Sequence, residues 1–277
     1  MITKSKLKAE LENILPKKNI LSAIEECYVY SQDGTNGIES DILPDIVVFP
    51  ETVEEVQAIM KFANEYKVPV IARGAGTNLV GACIPKRGGI VVNFTKMDNI
   101  LEINKTNMTA TVQSGVIVGN LQKEVEKTGL FFPPDPSNLK VSTIGGAIAQ
   151  SAGGPKTFKY GTTKDYILAL KVVLADGTLM NVGSDTIKNA TGYHLEQLFI
   201  GSEGTLGIVV EATLKLIPKP ETTNVIMAYF NNIDDATKSV TKMIDKNIFP
   251  STIDFMNKNT LQTVEKFYPC GLLTDRE

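Results

Sequence analysis

Three glycine-rich segments, far apart in the chain, most constrain how this sequence can fold. The first, RGAGTNLVGA at 73–82, directly follows an apolar run typical of a strand, and the third, GSEGTLG at 201–207, precedes another. The second is STIGGAIAQSAGGP at 142–155. Glycine permits positive φ and close backbone approach, so backbone N–H groups in such loops can point into a concavity that holds an anion.

The first segment predicts a phosphate-binding loop, in which Gly74 and Gly76 allow positive φ and a close approach of the backbone to the ligand. A Rossmann turn would need glycine at position 79, which is Leu79, and Pro85 falls where that motif needs a helix. The sequence therefore indicates an anion cradle of another type, with a diphosphate as its natural ligand. A tight structural turn between strands is the alternative that these residues leave open.

The second segment predicts a short helix with an almost side-chain-free surface. Prolines in PPDP at 133–136 fix an extended entry, and Ser142 or Thr143 can cap the helix. Its small residues leave room for something flat and large, although close packing of helix on sheet would also explain them. GPKT at 154–157 lacks the spacing of a nucleotide P-loop.

The third segment predicts a turn that brings backbone amides and the Glu203 carboxylate against a ligand, as an acidic residue can hold a ribose hydroxyl. A simple strand-entry turn is the alternative.

Composition and charge exclude several classes of function. The chain has 28 Lys and Arg against 31 Asp and Glu, a formal charge of −3, which gives no basic field for nucleic acid. It shows no transmembrane segment and no secretory signal, so we expect a cytoplasmic protein. Cys27, Cys83 and Cys270 are too scattered for a disulfide framework or zinc site, and His194 is the only histidine, so we expect no metal centre.

Hydrophobic periodicity predicts alternating helices and strands. Residues 4–27 fit a helical pattern broken at Pro16, and Thr52 with Glu55 forms a capping box before a helix. Short strands follow, then a hairpin around residues 176–177. Beyond about residue 220, NVIMAYF, a helix, TIDFM and another helix predict the start of a second α/β unit.

The order of these motifs resembles a known family. The run PDIVVFP, RGAGTN, PPDPSN, TIGGAIAQSAGGP, KYG, KDY and GSEGTLGIVVEATLKLIP resembles the PCMH-type FAD-binding domain of the vanillyl-alcohol oxidase superfamily, within its branch of glycolate oxidases and D-lactate dehydrogenases. IDFM at 253–256 resembles the start of that branch's C-terminal FAD-linked oxidase domain. The implied fold class is α+β, a two-subdomain PCMH-type FAD-binding fold followed by the start of a second α/β domain. The expected domains are an N-terminal helical segment at 1–40, the FAD-binding domain at 41–220 and an incomplete C-terminal substrate or cap domain at 221–277.

The resemblance also implies a set of FAD-binding residues. Around the diphosphate it places Arg73, Gly74, Ala75, Gly76, Thr77, Asn78 and, nearby, Gly81. Around the flavin it places Pro133, Asp135, Pro136, Ser137, Ile144, Gly145, Gly146, Ser151, Gly153 and Gly154. The KYG and DY segments contribute Tyr160, Gly161 and Asp165, and the adenosine side or flavin edge receives Glu203, Gly204, Gly207, Ile208 and Val209. Some relatives attach flavin through a histidine where this chain has Thr77, so FAD is expected to be non-covalent.

The implied activity is oxidation of a small 2-hydroxy acid, such as glycolate or D-lactate, by hydride transfer to flavin N5. An electron-transfer partner subunit is a further expectation of the resemblance. The catalytic base and the substrate clamp stay unassigned, because in that family they come largely from the C-terminal half, and the chain is expected to stop before it. His194 is interpreted as an ordinary helix residue and Cys83 as a space-filling one. The alternative is an FAD-binding module without catalysis of its own, completed by a partner chain or nonfunctional through truncation.

Overall fold

The computed structural model describes residues 2–37 and 42–275. The chain divides into two compact units, Met1–Gly154 with Thr162–Lys219, and Pro155–Gly161 with Pro220–Glu277. The predicted domain boundary between residues 40 and 41 lies outside the described residues.

The described residues combine helices and strands, as predicted. The helices are α1 (Lys4–Ile14), α2 (Ile24–Tyr28), α3 (Val53–Tyr66), α4 (Val118–Glu126), α5 (Ile144–Ala149), α6 (Thr157–Tyr160), α7 (Glu196–Phe199), α8 (Ile233–Asp245) and α9 (Lys258–Phe267). The strands are β1 (Ile20–Leu21), β2 (Ile46–Val48), β3 (Val70–Arg73), β4 (Ile90–Asn93), β5 (Ile100–Asn104), β6 (Thr109–Gln113), β7 (Leu130–Phe131), β8 (Ile167–Val173), β9 (Leu179–Gly183), β10 (Ile208–Lys215) and β11 (Ile217–Pro218).

The first sheet of the first unit has the strand order β1-β2-β4-β3, with β2, β4 and β3 parallel to one another. Helix α3 connects β2 to β3. It begins at the predicted capping box, in which the Thr52 hydroxyl accepts from Glu55 N. Its buried stripe includes Val56, Ile59 and Ala63, as the periodicity predicts, so the helix packs its apolar face into the core.

The second sheet is antiparallel and has the order β5-β6-β10-β8-β9. The predicted β8–β9 hairpin is present, and Gly177 takes φ +81 in its turn. In β10, Ala212 and Leu214 are buried on the face opposite Thr213, which is half-buried. Alternation of this kind is what a strand with one face on the core requires.

Both sheets of the first unit share one hydrophobic core. The cluster joins Ile46 and Val92 of the first sheet to Val173 and Val210 of the second, and Leu11 of α1 packs into it. The loop after β3 and the segment before β10 therefore adjoin the same core, and β6 is attached to β10 by strand pairing.

The structure confirms the predicted helix before Pro16 and corrects the helical pattern after it, where only Ile24–Tyr28 form an α-helix. Helix α1 ends at Ile14, and Ile20–Leu21 form a strand that pairs with Val47–Val48. Ile24, placed on the predicted apolar stripe, is 64% exposed. Ile20 is buried and Leu21 is half-buried. So short an apolar pair suits a strand as well as a helix, and here pairing with β2 decides the outcome.

The second unit contains α6, α8 and α9. Asn232 and Asn257 cap α8 and α9 through hydrogen bonds to the third residue beyond, and the rings of Phe158 and Phe249 stack at 6.2 Å. Within the described part of this unit, NVIMAYF and TIDFM form no strand, contrary to the prediction. Val225, within NVIMAYF, is 91% exposed and packs against no neighbouring strand. A segment with β-prone composition forms a strand only where a partner strand lies beside it.

No helix in the described ranges is both long enough and apolar enough to cross a bilayer.

Candidate functional site

A cleft of about 400 Å³ in the first unit brings the three glycine-rich segments together. Gly76, Gly146 and Gly204 each line it. The predicted residues that line the cleft are Arg73, Gly74, Ala75, Gly76, Thr77, Asn78, Pro136, Ser137, Gly145, Gly146, Gly153, Glu203, Gly204, Gly207, Ile208 and Val209. A second, more open cavity of about 590 Å³ shares Arg73, Gly76, Thr77 and neighbouring residues with it, so the concave surface extends along the first loop.

The loop at 74–79 offers the cleft its backbone donors. Within residues 2–37 and 42–275, none of the N–H groups of this loop donates to a protein acceptor. Two of its carbonyls are hydrogen-bonded within the protein, since Gly76 O accepts from Gly34 N at 2.9 Å and Thr77 O from the Asn138 amide at 3.5 Å. A row of free N–H groups with anchored carbonyls is the arrangement that binds phosphate oxygens.

Arg73 places a buried positive charge at the start of this loop. The residue is 8% exposed, its Nη1 donates to Gln32 O at 2.7 Å, and its guanidinium lies 5.4 Å from the Tyr30 ring centre. Among the described residues no carboxylate lies within salt-bridge distance of it. A cation without a counter-ion is costly to bury, so this end of the cleft favours an anionic ligand.

Gly76 is required where the loop passes over this side chain. Its φ is +69, and a Cβ at this position would overlap the Arg73 guanidinium. The glycine that the sequence pattern singles out therefore serves both the backbone conformation and the approach to the arginine.

Side chains from residues 33–35 hold the far end of the loop. The Asp33 carboxylate accepts from Cys83 N at 3.2 Å and from Thr35 N at 3.0 Å, while the Thr35 hydroxyl accepts from Gly81 N at 2.7 Å. Burial acts to raise the pKa of Asp33, but these hydrogen bonds and one with Asn78 outweigh it and lower the pKa. Asp33 is thus a charged anchor of the loop at neutral pH.

Cys83 lines the cleft as a protonated thiol. Burial raises its pKa to about 11, so the thiolate that would make it a nucleophile is scarce near neutral pH. Its sulfur accepts from the Asn78 amide at 3.3 Å. The side chain acts as a small buried group in the wall.

Helix α5 forms part of the cleft wall, and its small residues leave room above it. The N–H groups of its first residues already donate hydrogen bonds within the protein. The Thr143 hydroxyl caps it by accepting from Gly146 N at 3.2 Å, and the amides of residues 144–145 donate to Val116 O and Ser114 O. A Cβ on Gly146 would meet only the Thr143 hydroxyl, at 3.1 Å. The surface above Gly146 is therefore open, as the small residues of this segment predict.

The third segment is fastened to the C-terminal end of α5. Gly201 N donates to Ile148 O and Glu203 N to Ala149 O, each at 3.0 Å. The prediction that this turn offers its amides to a ligand is therefore wrong for these two residues. Glu203 has φ +56, an uncommon conformation for a residue with a Cβ, and it lines the cleft.

The other predicted residues lie outside the lining of the cleft: Gly81, Pro133, Asp135, Ile144, Ser151, Gly154, Tyr160, Gly161 and Asp165. Several have structural roles. Ile144 is 1% exposed in the core, a Cβ on Gly154 would overlap the Asp135 backbone, and the Asp165 carboxylate accepts from Thr162 N at 2.7 Å. Tyr160 and Gly161 belong to the second unit.

Other lining residues were not assigned from the sequence: Ala72, Leu79, Val80, Ala82, Phe94, Ser114, Asn138, Ser142, Thr143, Ala147, Ala149, Gln150, Ala152, Phe199 and Ser202. Those within the glycine-rich segments could have been found by extending each segment. Phe94 and Ser114 follow β4 and β6, where no local motif marks them.

His194 stands apart from the cleft lining, and it precedes α7, contrary to the prediction that it lies on a helix. Its side chain is 66% exposed and its Nδ1 lies 2.8 Å from the Glu196 carboxylate. Gly192, with φ +78, keeps the preceding chain out of the helical conformation.

Comparisons with known proteins match this geometry to a family. The FAD binding domain family matches residues 44–183, and the C-terminal domain family of FAD linked oxidases matches residues 219–275. The chain belongs to the FAD binding domain family. FAD is the cofactor that defines this family, and the free amides, the buried arginine and the open helix surface of the cleft fit such a group.

Curated relatives are longer than this chain. Glycolate oxidase subunit GlcD of Bacillus subtilis is 44% identical over 274 residues, covering 99% of the chain and 58% of the relative. D-lactate dehydrogenase of Anaerostipes hadrus is 38% identical, covering 93% of the chain and 54% of the relative. The chain thus spans between about half and three fifths of these relatives.

Solved structures of the same fold are also similar. An alkyldihydroxyacetonephosphate synthase gives a TM-score of 0.83 at 24% identity, covering 97% of this chain and 55% of that one. A p-cresol methylhydroxylase gives 0.73 at 21% identity, covering 86% and 48%. These similarities establish that the chain shares the fold of these two proteins.

Proposed function

We propose that the cleft binds FAD non-covalently, with its diphosphate at residues 74–79. The observation that carries this proposal is a row of N–H groups without an acceptor in the described part of the chain, beside Arg73, which has no carboxylate partner there. Together they supply several donors and one buried positive charge to a doubly charged group. The open surface over Gly146 leaves room for the rest of a large planar cofactor.

The cofactor proposal is tested by purifying the protein and recording its absorption spectrum. We expect flavin bands, and we expect acid precipitation to release all the flavin into the supernatant, because Thr77 offers no histidine for a covalent bond. A colourless protein that does not take up added FAD would contradict the proposal, and flavin retained in the pellet would contradict the non-covalent part.

We further propose that the whole protein is a dehydrogenase of a small 2-hydroxy acid such as glycolate or D-lactate, with an electron-transfer partner subunit. Bound flavin supplies the hydride acceptor. Support comes from relatives named glycolate oxidase subunit GlcD and D-lactate dehydrogenase. Anaerobic addition of each acid is the test, because a substrate bleaches the flavin absorbance at its own rate.

A second candidate is an FAD-binding module that a partner chain must complete. It is favoured by the chemistry of the cleft, whose titratable lining side chains among the described residues are Arg73, Cys83 and Glu203. None of these is a histidine or lysine base, and Arg73 is the one cation among them that could hold a substrate carboxylate. A yellow protein that neither acid reduces, but that dithionite reduces normally, would support this candidate.

A further inference from the structure

The buried side chain of Gln122, on α4, holds a proline-rich part of the chain that reaches the cleft. Its amide Nε2 donates to Phe132 O at 3.0 Å and to Pro134 O at 2.8 Å. Gln122 itself is 9% exposed and lies outside the lining of the cleft. Both acceptors belong to residues 132–139, which we call the proline segment.

The proline segment has few other means of fixing its backbone. Pro133, Pro134 and Pro136 carry no N–H group, so they cannot donate backbone hydrogen bonds. Residues 132–136 are nevertheless buried, and a buried carbonyl that lacks a donor destabilises the folded state. The side-chain amide of Gln122 has two hydrogens, and each of the two carbonyls receives one of them.

Helix α4 also holds the other end of the proline segment. Gly119 N donates to Leu139 O at 2.8 Å, and a Cβ on Gly119 would lie 2.8 Å from Leu139 Cδ1 and 3.0 Å from Leu139 O. Ile117, the N-cap residue of α4, offers no side-chain acceptor to the first turn, and the Leu139 carbonyl serves in its place. One helix therefore holds the segment at both ends.

Between these two attachments the proline segment forms part of the cleft wall. Pro136, Ser137 and Asn138 line the cleft. The Asn138 amide donates to Thr77 O at 3.5 Å, which joins the segment to the first glycine-rich loop. The position of this wall relative to residues 74–79 therefore depends on where α4 holds the segment.

Resting on the proposed function, we propose that Gln122 is a positioning residue for the cofactor. Through the carbonyls of Phe132 and Pro134 it holds residues 136–138 at the distance from residues 74–79 that bound FAD requires, and it does so without contacting FAD. Removal of the amide leaves two buried carbonyls without a donor, and the segment must move toward water to satisfy them. Such a movement changes the width of the cleft.

The test compares Gln122→Met with the unmodified protein, because methionine has a similar length but no side-chain N–H donor. We expect Gln122→Met to bind FAD about tenfold more weakly in fluorescence titrations. We also expect the visible circular dichroism of the bound flavin to change, because the cofactor then lies beside a displaced wall. Val125→Ala is the matched control, since it removes buried methyl groups from the same helix. It should lower the melting temperature and leave both the FAD affinity and the dichroism unchanged.

Gly119→Ala tests the other attachment in a variant that should fold. Alanine is a better helix former than glycine, so the melting temperature without cofactor should stay the same or rise. The added Cβ presses on Leu139 and displaces the proline segment, so FAD binding should weaken about threefold.

Unchanged FAD affinity in both Gln122→Met and Gly119→Ala would overturn the inference while leaving the proposed function intact. A loss in Gln122→Met no greater than that in Val125→Ala would do the same, because it would reflect stability alone. If Gln122→Met does not fold, the affinity of Gly119→Ala decides. If the unmodified protein binds no FAD, the proposed function fails first and the inference fails with it.

Discussion

Arg73 is the residue whose removal should most weaken cofactor binding. Among residues 2–37 and 42–275 its buried guanidinium has one acceptor, Gln32 O, and it lies beside the loop whose amides donate to no acceptor there. A hydrogen bond to a charged group contributes about 1.5–3 kcal/mol, so Arg73→Ala should weaken FAD binding at least tenfold. The measurement is a fluorescence titration. Arg87→Ala, on an exposed position, is the control and should bind as before.

Asp33 should make the stability of the loop depend on pH. The pKa of Asp33 is lowered in the folded state from its ordinary value of 3.8. The contribution of this carboxylate to the free energy of unfolding is therefore fully present above pH 3.8 and is lost as the pH falls through the lowered pKa. Asp33→Asn should therefore reduce the free energy of unfolding at pH 6, by on the order of 1 kcal/mol for this half-exposed group. The difference from the unmodified protein should shrink below about pH 4. Urea titrations across pH 2.5–6 provide the check, and a constant difference would argue against the role of the charge.

Single residues also show what the sequence could and could not predict. Gly76 was identifiable because a positive φ and a close approach select glycine and leave a pattern in the chain. Ser114 left no such pattern. It reaches the cleft because β6 and β10 pair across a long sequence separation, and only the fold shows that its hydroxyl is unpartnered.

At the scale of elements, two adjacent glycines of α5 have different roles. Gly146 borders the open space that a cofactor needs, and Gly145 packs against the rest of the fold. A Cβ on Gly146 meets only the Thr143 hydroxyl, whereas a Cβ on Gly145 would lie 2.7 Å from the Ser114 Cβ. Gly146→Val should therefore reduce FAD affinity at least tenfold while changing the free energy of unfolding by less than about 1 kcal/mol. Gly145→Val should lower both. Equal losses of stability in the two variants, by thermal unfolding without FAD, would contradict this division.

Elements whose own residues carry a cap and an apolar stripe could be predicted from the sequence. Elements that form only by pairing with another strand could not. Helix α3 carries its own cap and apolar stripe, and both are observed. NVIMAYF has strand-like composition, but no neighbouring strand pairs with it in the described part of the second unit. Ile20–Leu21 show the converse, because pairing with β2 converts a helix-like pattern into a strand.

On the scale of the whole molecule, the three segments do not contribute alike, although the sequence made them look equivalent. The N–H groups of residues 74–79 have no acceptor in the described part of the chain, whereas Gly201 and Glu203 donate theirs to carbonyls of α5. This distinction depends on how the loops dock on one another, and a glycine pattern cannot show it.

Hydrogen exchange over the whole chain can separate these two sets of amides. Amides without an acceptor exchange quickly, so residues 74–79 should exchange fast without cofactor and slow down by at least tenfold when FAD occupies the loop. Gly201 and Glu203 should already be protected before FAD is added, because each donates to a backbone carbonyl at 3.0 Å. Peptides from residues 224–230 of the second unit serve as the internal control and should not change. If protection on FAD addition instead appeared first at 201–203, the diphosphate would belong to the third segment and the free amides of the first would need another ligand.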